Sequence, residues 1–230
     1  ISNLMIALGK IAGLETKKEV GYVKDEDHVK GQKFNAVNHT WNTIKTEDKW
    51  GVYDVSWASS TAGSVDDYWF NVPSDEYIFT HLPKKKAAQL MKWKMTLSQF
   101  EKLPNPGKHF FKLGFNVKTA KRLALKGKIK EFAAAYPVET PLKMVKAPYL
   151  KELPSHKSFK IVIESKYAHS IEIVNGGGAS SFDQKGDEFT IEIELNEGPV
   201  ELRIKGNTQD SFQTFLVYKA VDKNKPLAMK

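Results

Sequence analysis

The chain contains no cysteine. Disulfides, thiolate metal sites and an internal thiol nucleophile are therefore excluded within its 230 residues. The absence does not fix a compartment, since exported and cytosolic proteins alike can lack cysteine. There is also no apolar run near the roughly 18–20 residues that cross a bilayer, so no transmembrane segment is expected. Arginine is scarce, although the formal net charge is +8. The positive charge is scattered lysine, densest at Lys84-Lys85-Lys86 and along Lys118, Lys121, Arg122, Lys126, Lys128 and Lys130. Nucleic-acid sites favour arginine for bidentate contacts, and no zinc-finger, recognition-helix or RNA-binding signature accompanies the lysines. No nucleic-acid partner is expected.

Other chemistries are missing too. His28, His109, His156 and His169 are spread too widely to suggest a metal site. Gly176-Gly177-Gly178 lacks the lysine and the following helix of a phosphate loop. Asp66-Asp67 and Glu47-Asp48 read as solvated loop charges, not a glycosidase pair. No metal and no cofactor are expected. No secretory signal is visible. Ile1 opens inside an amphipathic segment, so residues are expected before it, and a removed leader is compatible with that.

What is present centres on His39 and Asp54. They lie in two short β-type runs, 35–45 and 50–57, joined by the polar stretch Thr46-Glu47-Asp48-Lys49. The pattern predicts an antiparallel hairpin. A two-residue loop puts His39 and Asp54 on a cross-strand diagonal, and a four-residue loop puts them opposite. Either leaves both on one face, because side chains alternate with period two. A carboxylate beside an imidazole fixes its tautomer and holds it as a general base. Trp41 shares a face with His39, so it can either pack in the core or wall a cleft. Trp57 carries the same two readings. His81 reads as structural, capping a turn before Pro83.

Along the chain, 2–13 predicts a helix with Leu4, Met5, Leu8, Ile11 and Ala12 on one stripe, and 15–24 predicts a strand. A polar loop is expected over 25–33 and a small-residue loop over 58–67. A short helix or turn is expected over 75–82, a short strand or packing segment over 89–93, and a helical turn capped by Thr96. Residues 109–118 read as strand, and 119–136 as either helix or strand. From Phe159 onward, short alternating runs separated by Gly, Asn and Pro turns predict a β-sandwich. A domain boundary is expected between Leu90 and Pro106.

The His39-Thr40-Trp41-Asn42 and Trp50-Gly51-Val52-Tyr53-Asp54-Val55-Ser56-Trp57 segments carry a family pattern. So do Gly21-Tyr22, Tyr68-Trp69-Phe70, His81-Leu82-Pro83 and Gln89-Leu90. Together they resemble the transglutaminase-like cysteine peptidase superfamily, and more narrowly its kyphoscoliosis-peptidase-like branch. The resemblance covers roughly the first ninety residues. It implies an α+β protein: a papain/transglutaminase-like core, N-terminally incomplete, followed by a β-sandwich domain. The expected division is 1–95 for the core, 96–153 for a connecting region that could join a β-domain, and 154–230 for an Ig-like β-sandwich.

The resemblance implies His39 and Asp54 as catalytic residues, Trp41 and Trp57 as substrate contacts, and a protein or peptide as substrate. Relatives of similar architecture imply an extracellular or cell-surface location. Family members place the nucleophilic cysteine at a helix N-terminus, in a Cys-x-Gly-Tyr/Phe-Ser/Ala-like motif. Ile1-Ser2-Asn3-Leu4 fits the tail of that motif, so the cysteine position would fall before Ile1. Two readings follow. In one, a thiol upstream of Ile1 makes an acyl-transfer enzyme, either peptidase or transglutaminase. In the other, the thiol is lost and the protein is a non-catalytic scaffold. A surface- or carbohydrate-binding β-module on a degenerate core is a third.

Overall fold

The computed structural model describes residues 1–25, 28–59 and 63–222. Parts of the loops expected over 25–33 and 58–67, and the C-terminal residues 223–230, lie outside the described residues. The chain is a mixture of helices and mainly antiparallel strands, an α+β composition. It divides into two compact units, Ile1–Asn105 and Pro106–Lys230.

The first unit opens with α1 (Ser2–Ile11), followed by β1 (Glu15–Val23). The hairpin is β2 (His39–Thr46) and β3 (Lys49–Tyr53). Its turn is two residues, since Thr46 pairs with Lys49, and Glu47 and Asp48 both adopt positive φ. That is the primed turn geometry whose twist matches the flanking strands. Next come α2 (Val55–Ala58), β4 (Phe70–Val72), α3 (Ser74–Tyr77), β5 (His81–Pro83) and α4 (Leu97–Lys102). The sheet order is β4-β3-β2-β1-β5, with all neighbours antiparallel.

The sheet has two differently used faces. Alternation puts Thr40 and Asn42 on one face, and α1 packs there. The Ser2 hydroxyl donates to the Thr40 carbonyl at 3.1 Å, and the Asn42 amide donates to the Ser2 carbonyl at 3.1 Å. His39 and Trp41 lie on the other face. There Trp41 joins Val23, Val52, Ala58, Trp69, Val72 and Tyr77 in an aromatic-rich core. Gly21 makes room for it: a Cβ at this position would sit 2.2 Å from the Leu82 carbonyl oxygen and 2.6 Å from the Trp41 ring.

The α4 segment belongs to the first unit. Lys24, 0% exposed, donates from Nζ to the carbonyls of Phe100 and Leu103 at 2.5 and 2.7 Å. The Phe100 carbonyl also accepts from the Leu103 N–H at 3.0 Å, so the ammonium adds a second bond there and meets the Leu103 carbonyl at the end of α4.

The second unit begins with α5 (Lys108–Lys112) and α6 (Val117–Leu125). The stretch 109–118, which the sequence read as strand, is thus the end of one helix, a turn and the start of the next. Gly114, at φ +90, closes α5, and the Asn116 side chain caps α6 by accepting from the Thr119 N–H at 2.9 Å. The apolar residues Phe111, Leu113 and Phe115 mimic strand spacing, but adjacent Phe110 and Phe111 are both buried on one short helix.

The rest of the unit is two sheets. One runs β11 (Gly178–Ser181), β10 (Ala168–Asn175), β14 (Gly198–Gly206), β15 (Gln213–Val221) and β6 (Ala134–Ala135), with β8 (Glu152–Pro154) parallel to β15. The other runs β12 (Asp183–Lys185), β13 (Glu188–Glu194), β9 (Ser158–Glu164) and β7 (Lys143–Lys146). Alternation is clean in β14, where Val200, Leu202 and Ile204 are buried.

Candidate active site

His39 is the first residue of β2 and pairs with Gly21. Asp54 lies one residue beyond β3, on the cross-strand diagonal that a two-residue turn dictates. The two meet: His39 Nε2 is 2.6 Å from Asp54 Oδ2. The imidazole keeps 18% of its side-chain surface exposed, while the carboxylate has none. An accessible imidazole is thus backed by a buried carboxylate. With Nε2 committed to Asp54, Nδ1 is the nitrogen left for proton transfer.

Asp54 does more than the sequence suggests. The β-type run read over 50–57 ends at Tyr53, and Asp54 is the N-cap of α2. Its Oδ1 accepts from the backbone N–H groups of Ser56 and Trp57, each at 3.1 Å, and from the Ser56 hydroxyl at 2.6 Å. One oxygen therefore holds the helix, and the other holds the histidine. The signal was present in Asp54-Val55-Ser56-Trp57, a capping residue ahead of a short helix.

Oδ2 has a second partner that sequence reasoning missed. His81, on β5, brings Nε2 to 3.1 Å from the same oxygen. It is fully buried and does not cap a turn before Pro83, as the sequence suggested. Its Nδ1 lies 2.8 Å from the Thr80 hydroxyl. Tyr77 stacks on the ring at 3.9 Å, and Trp57 meets it edge-on at 4.5 Å. The placement depends on β5 pairing with β1, Val23 against His81, which local pattern does not reveal.

These contacts set the ionisation. Burial pushes the Asp54 carboxyl up, but hydrogen bonds from His39, His81 and Ser56 together outweigh it and hold the group below the usual carboxylate range. Burial lowers His81 to about 4, against the opposing pull of Asp54. His81 is therefore neutral at pH 7. It donates Nε2–H to Asp54 and accepts from Thr80.

The tryptophans divide. Trp41, expected as a substrate contact, is 1% exposed and packs behind His39, with ring centroids 6.1 Å apart. A ring this buried backs His39 and offers almost no surface to the solvent. Trp57 is not on a strand but in α2. It is half-buried, with its ring 5.9 Å from that of His39.

Ser56 also sits beside the dyad, 3.5 Å from His39 Nε2, but its proton goes to Asp54. It is placed on the Nε2 side, away from the nitrogen left to act as base. The donor atoms of His39, Asp54 and His81 all lie within 4.8 Å of one another, a set chemically able to hold a transition metal. The 2.6 and 3.1 Å gaps are hydrogen-bond distances, so a metal would have to displace both protons.

The opening of α1 shares an end of the sheet with His39. Ser2 contacts Thr40, while Gly9 lies against Thr16, the partner of Ile44. The helix therefore runs along β2 in the same direction and starts where His39 is attached. It occupies the opposite face, so its N-terminus points past the start of the strand.

No family model matches the chain. Curated relatives do. Human kyphoscoliosis peptidase is 28% identical over 101 residues, which is 40% of this chain and 15% of that protein. Cytokinesis protein 3 of Schizosaccharomyces pombe is 27% identical over 105 residues, 43% of this chain and 12% of that one. The Lim and transglutaminase domain protein ltd-1 of Caenorhabditis elegans is 27% identical over 120 residues, 44% and 17% respectively. Somewhat under half of the chain is thus similar to these proteins, and the match spans less than a fifth of their length.

Proposed function

We propose that this chain is part of a cysteine-dependent acyl-transfer protein of the kyphoscoliosis-peptidase-like branch, acting on protein or peptide amides. The carrying observation is the 2.6 Å His39–Asp54 contact, with an accessible ring and a buried acid. In this reading residues 1–95 are a papain/transglutaminase-like core, and residues from 154 onward form an Ig-like β-sandwich.

The thiol would come from the chain preceding Ile1, at the N-terminus of α1. The helix's partial positive charge favours thiolate there. His39 Nδ1 takes the thiol proton, and Asp54 orients the ring and stabilises its charged form. The thiolate adds to the amide carbonyl, and the C–N bond breaks as His39 returns the proton to the leaving amine. Water then releases an acid, or a second amine gives a cross-link. Trp57 borders the reacting ring, and Trp41 holds it from behind.

The second reading is a non-catalytic scaffold that keeps the cleft for protein contacts. It is favoured by the lack of any cysteine in these residues. The two separate in the full-length protein. An enzyme releases peptide or ammonia from a casein substrate, and His39→Ala lowers turnover by about 10²–10⁴. Equal turnover in parent and variant rejects His39 as the base. A residue other than cysteine at the motif position, together with binding of casein but no turnover, establishes the scaffold.

A further inference from the structure

We propose that the segment 84–94 of the first unit is a docking tip for an anionic phospholipid surface. Trp93 is 79% exposed, a large indole standing in water. It is flanked by Lys92 and Lys94, and the Lys92 ammonium lies 6.0 Å from its ring centroid. Lys84, Lys85 and Lys86 are exposed shortly before it. From residue 84 to residue 100 there are five lysines and no carboxylate. Lys85 also acts electrostatically on Glu19.

The tip is built, not slack. The Gln89 side chain closes its neck: Nε2 donates to the Met95 carbonyl at 2.9 Å, and Oε1 accepts from the Met95 N–H at 2.7 Å. Leu90 takes the left-handed conformation that turns the chain. Met91 and Met95 are each 6% exposed and anchor both ends in the core. Between these anchors only Lys92, Trp93 and Lys94 project. A short projection carrying one indole between cations suits the headgroup layer, where tryptophan partitions and lysine meets phosphate. It suits nucleic acid less well, since there is no arginine in the segment and no second exposed ring to extend a stacking platform.

Co-sedimentation of the 230-residue chain with phosphatidylcholine vesicles, with and without phosphatidylserine, tests this. The chain is expected to pellet with the anionic vesicles and to be released by salt. Lys92→Ala and Lys94→Ala should each weaken binding roughly fivefold. Trp93→Ala should weaken it while leaving the salt dependence unchanged. All three side chains are exposed, so the fold is expected to stay intact, and unchanged unfolding curves would verify this. Equal pelleting with phosphatidylcholine alone overturns the proposal, as does undiminished binding by the double lysine variant. Tighter binding of a single-stranded oligonucleotide than of vesicles at the same salt also overturns it.

Discussion

Asp54→Ala is expected to cost the first unit about 3–5 kcal/mol of stability. The carboxylate is fully buried and accepts from five donors: His39, His81, the Ser56 hydroxyl, and the Ser56 and Trp57 N–H groups. Truncation strands several of these in the interior. Loss of the α2 cap contributes about 1 kcal/mol, and unpaired buried donors contribute about 1–3 kcal/mol each, partly relieved by relaxation. Asp54→Asn should cost less, because its carbonyl can keep the cap. All five tryptophans fall within residues 1–105, so indole fluorescence during urea unfolding reads this unit alone. A shift in midpoint no larger than that of a surface substitution would show that the hydrogen bonds at Asp54 contribute little.

The second large effect is a loss of stability in mild acid that is traceable to His81. In the folded chain its pKa is lowered to about 4 by burial, and in the unfolded chain it returns to the ordinary value of about 6.5. Between these values the unfolded chain binds a proton that the folded chain does not. Stability therefore rises with pH across this window and falls on acidification from about 6.5 towards 4. The span amounts to about 3 kcal/mol at full extent. Asp54 behaves in the same direction but lower: its depressed pKa gives stability that is lost as pH falls through the acid range. His81→Gln keeps a donor towards Asp54 without a titrating group. It should flatten the stability profile above pH 4 and leave the Asp54 limb. A profile as steep as that of the parent would show that another group titrates.

Much of this site was legible in the sequence, because its central pair is local. Fifteen residues and a tight turn separate His39 from Asp54, and period two then leaves them on one face. The Thr96 cap was legible for the same reason: its hydroxyl and Gln99 form a reciprocal pair within one turn of chain. What depends on distant pairing was not. His81 reaches Asp54 only because β5 docks on β1, and nothing in His81-Leu82-Pro83 announces that strand partner. Asp54 hid its capping role because a β-type run and a helix start overlap at one residue. Residues 109–115 misled for a different reason. Phe111, Leu113 and Phe115 fall at the period of a strand, yet Gly107 and Gly114 bracket a short helix that ends at Lys112. Trp41 was readable as core or cleft, and the choice needed Gly21, whose missing side chain lets the indole lie flat behind the imidazole. The apolar stripe of α1 was legible as a helix, but Leu4 and Leu8 on that stripe are 59% and 49% exposed, because the face against β1 and β2 is made by Ser2 and Gly9.

The proposed function requires Asp54 to hold His39 with its proton on Nε2 and its lone pair on Nδ1. Long-range ¹H–¹⁵N NMR of the histidine rings in the 230-residue chain measures this directly, without a thiol or a substrate. With the ring neutral, a proton on Nε2 of His39 and a bare Nδ1 are expected, and that preference should be lost in Asp54→Asn. A proton on Nδ1, or the same tautomer mixture in parent and variant, would contradict it.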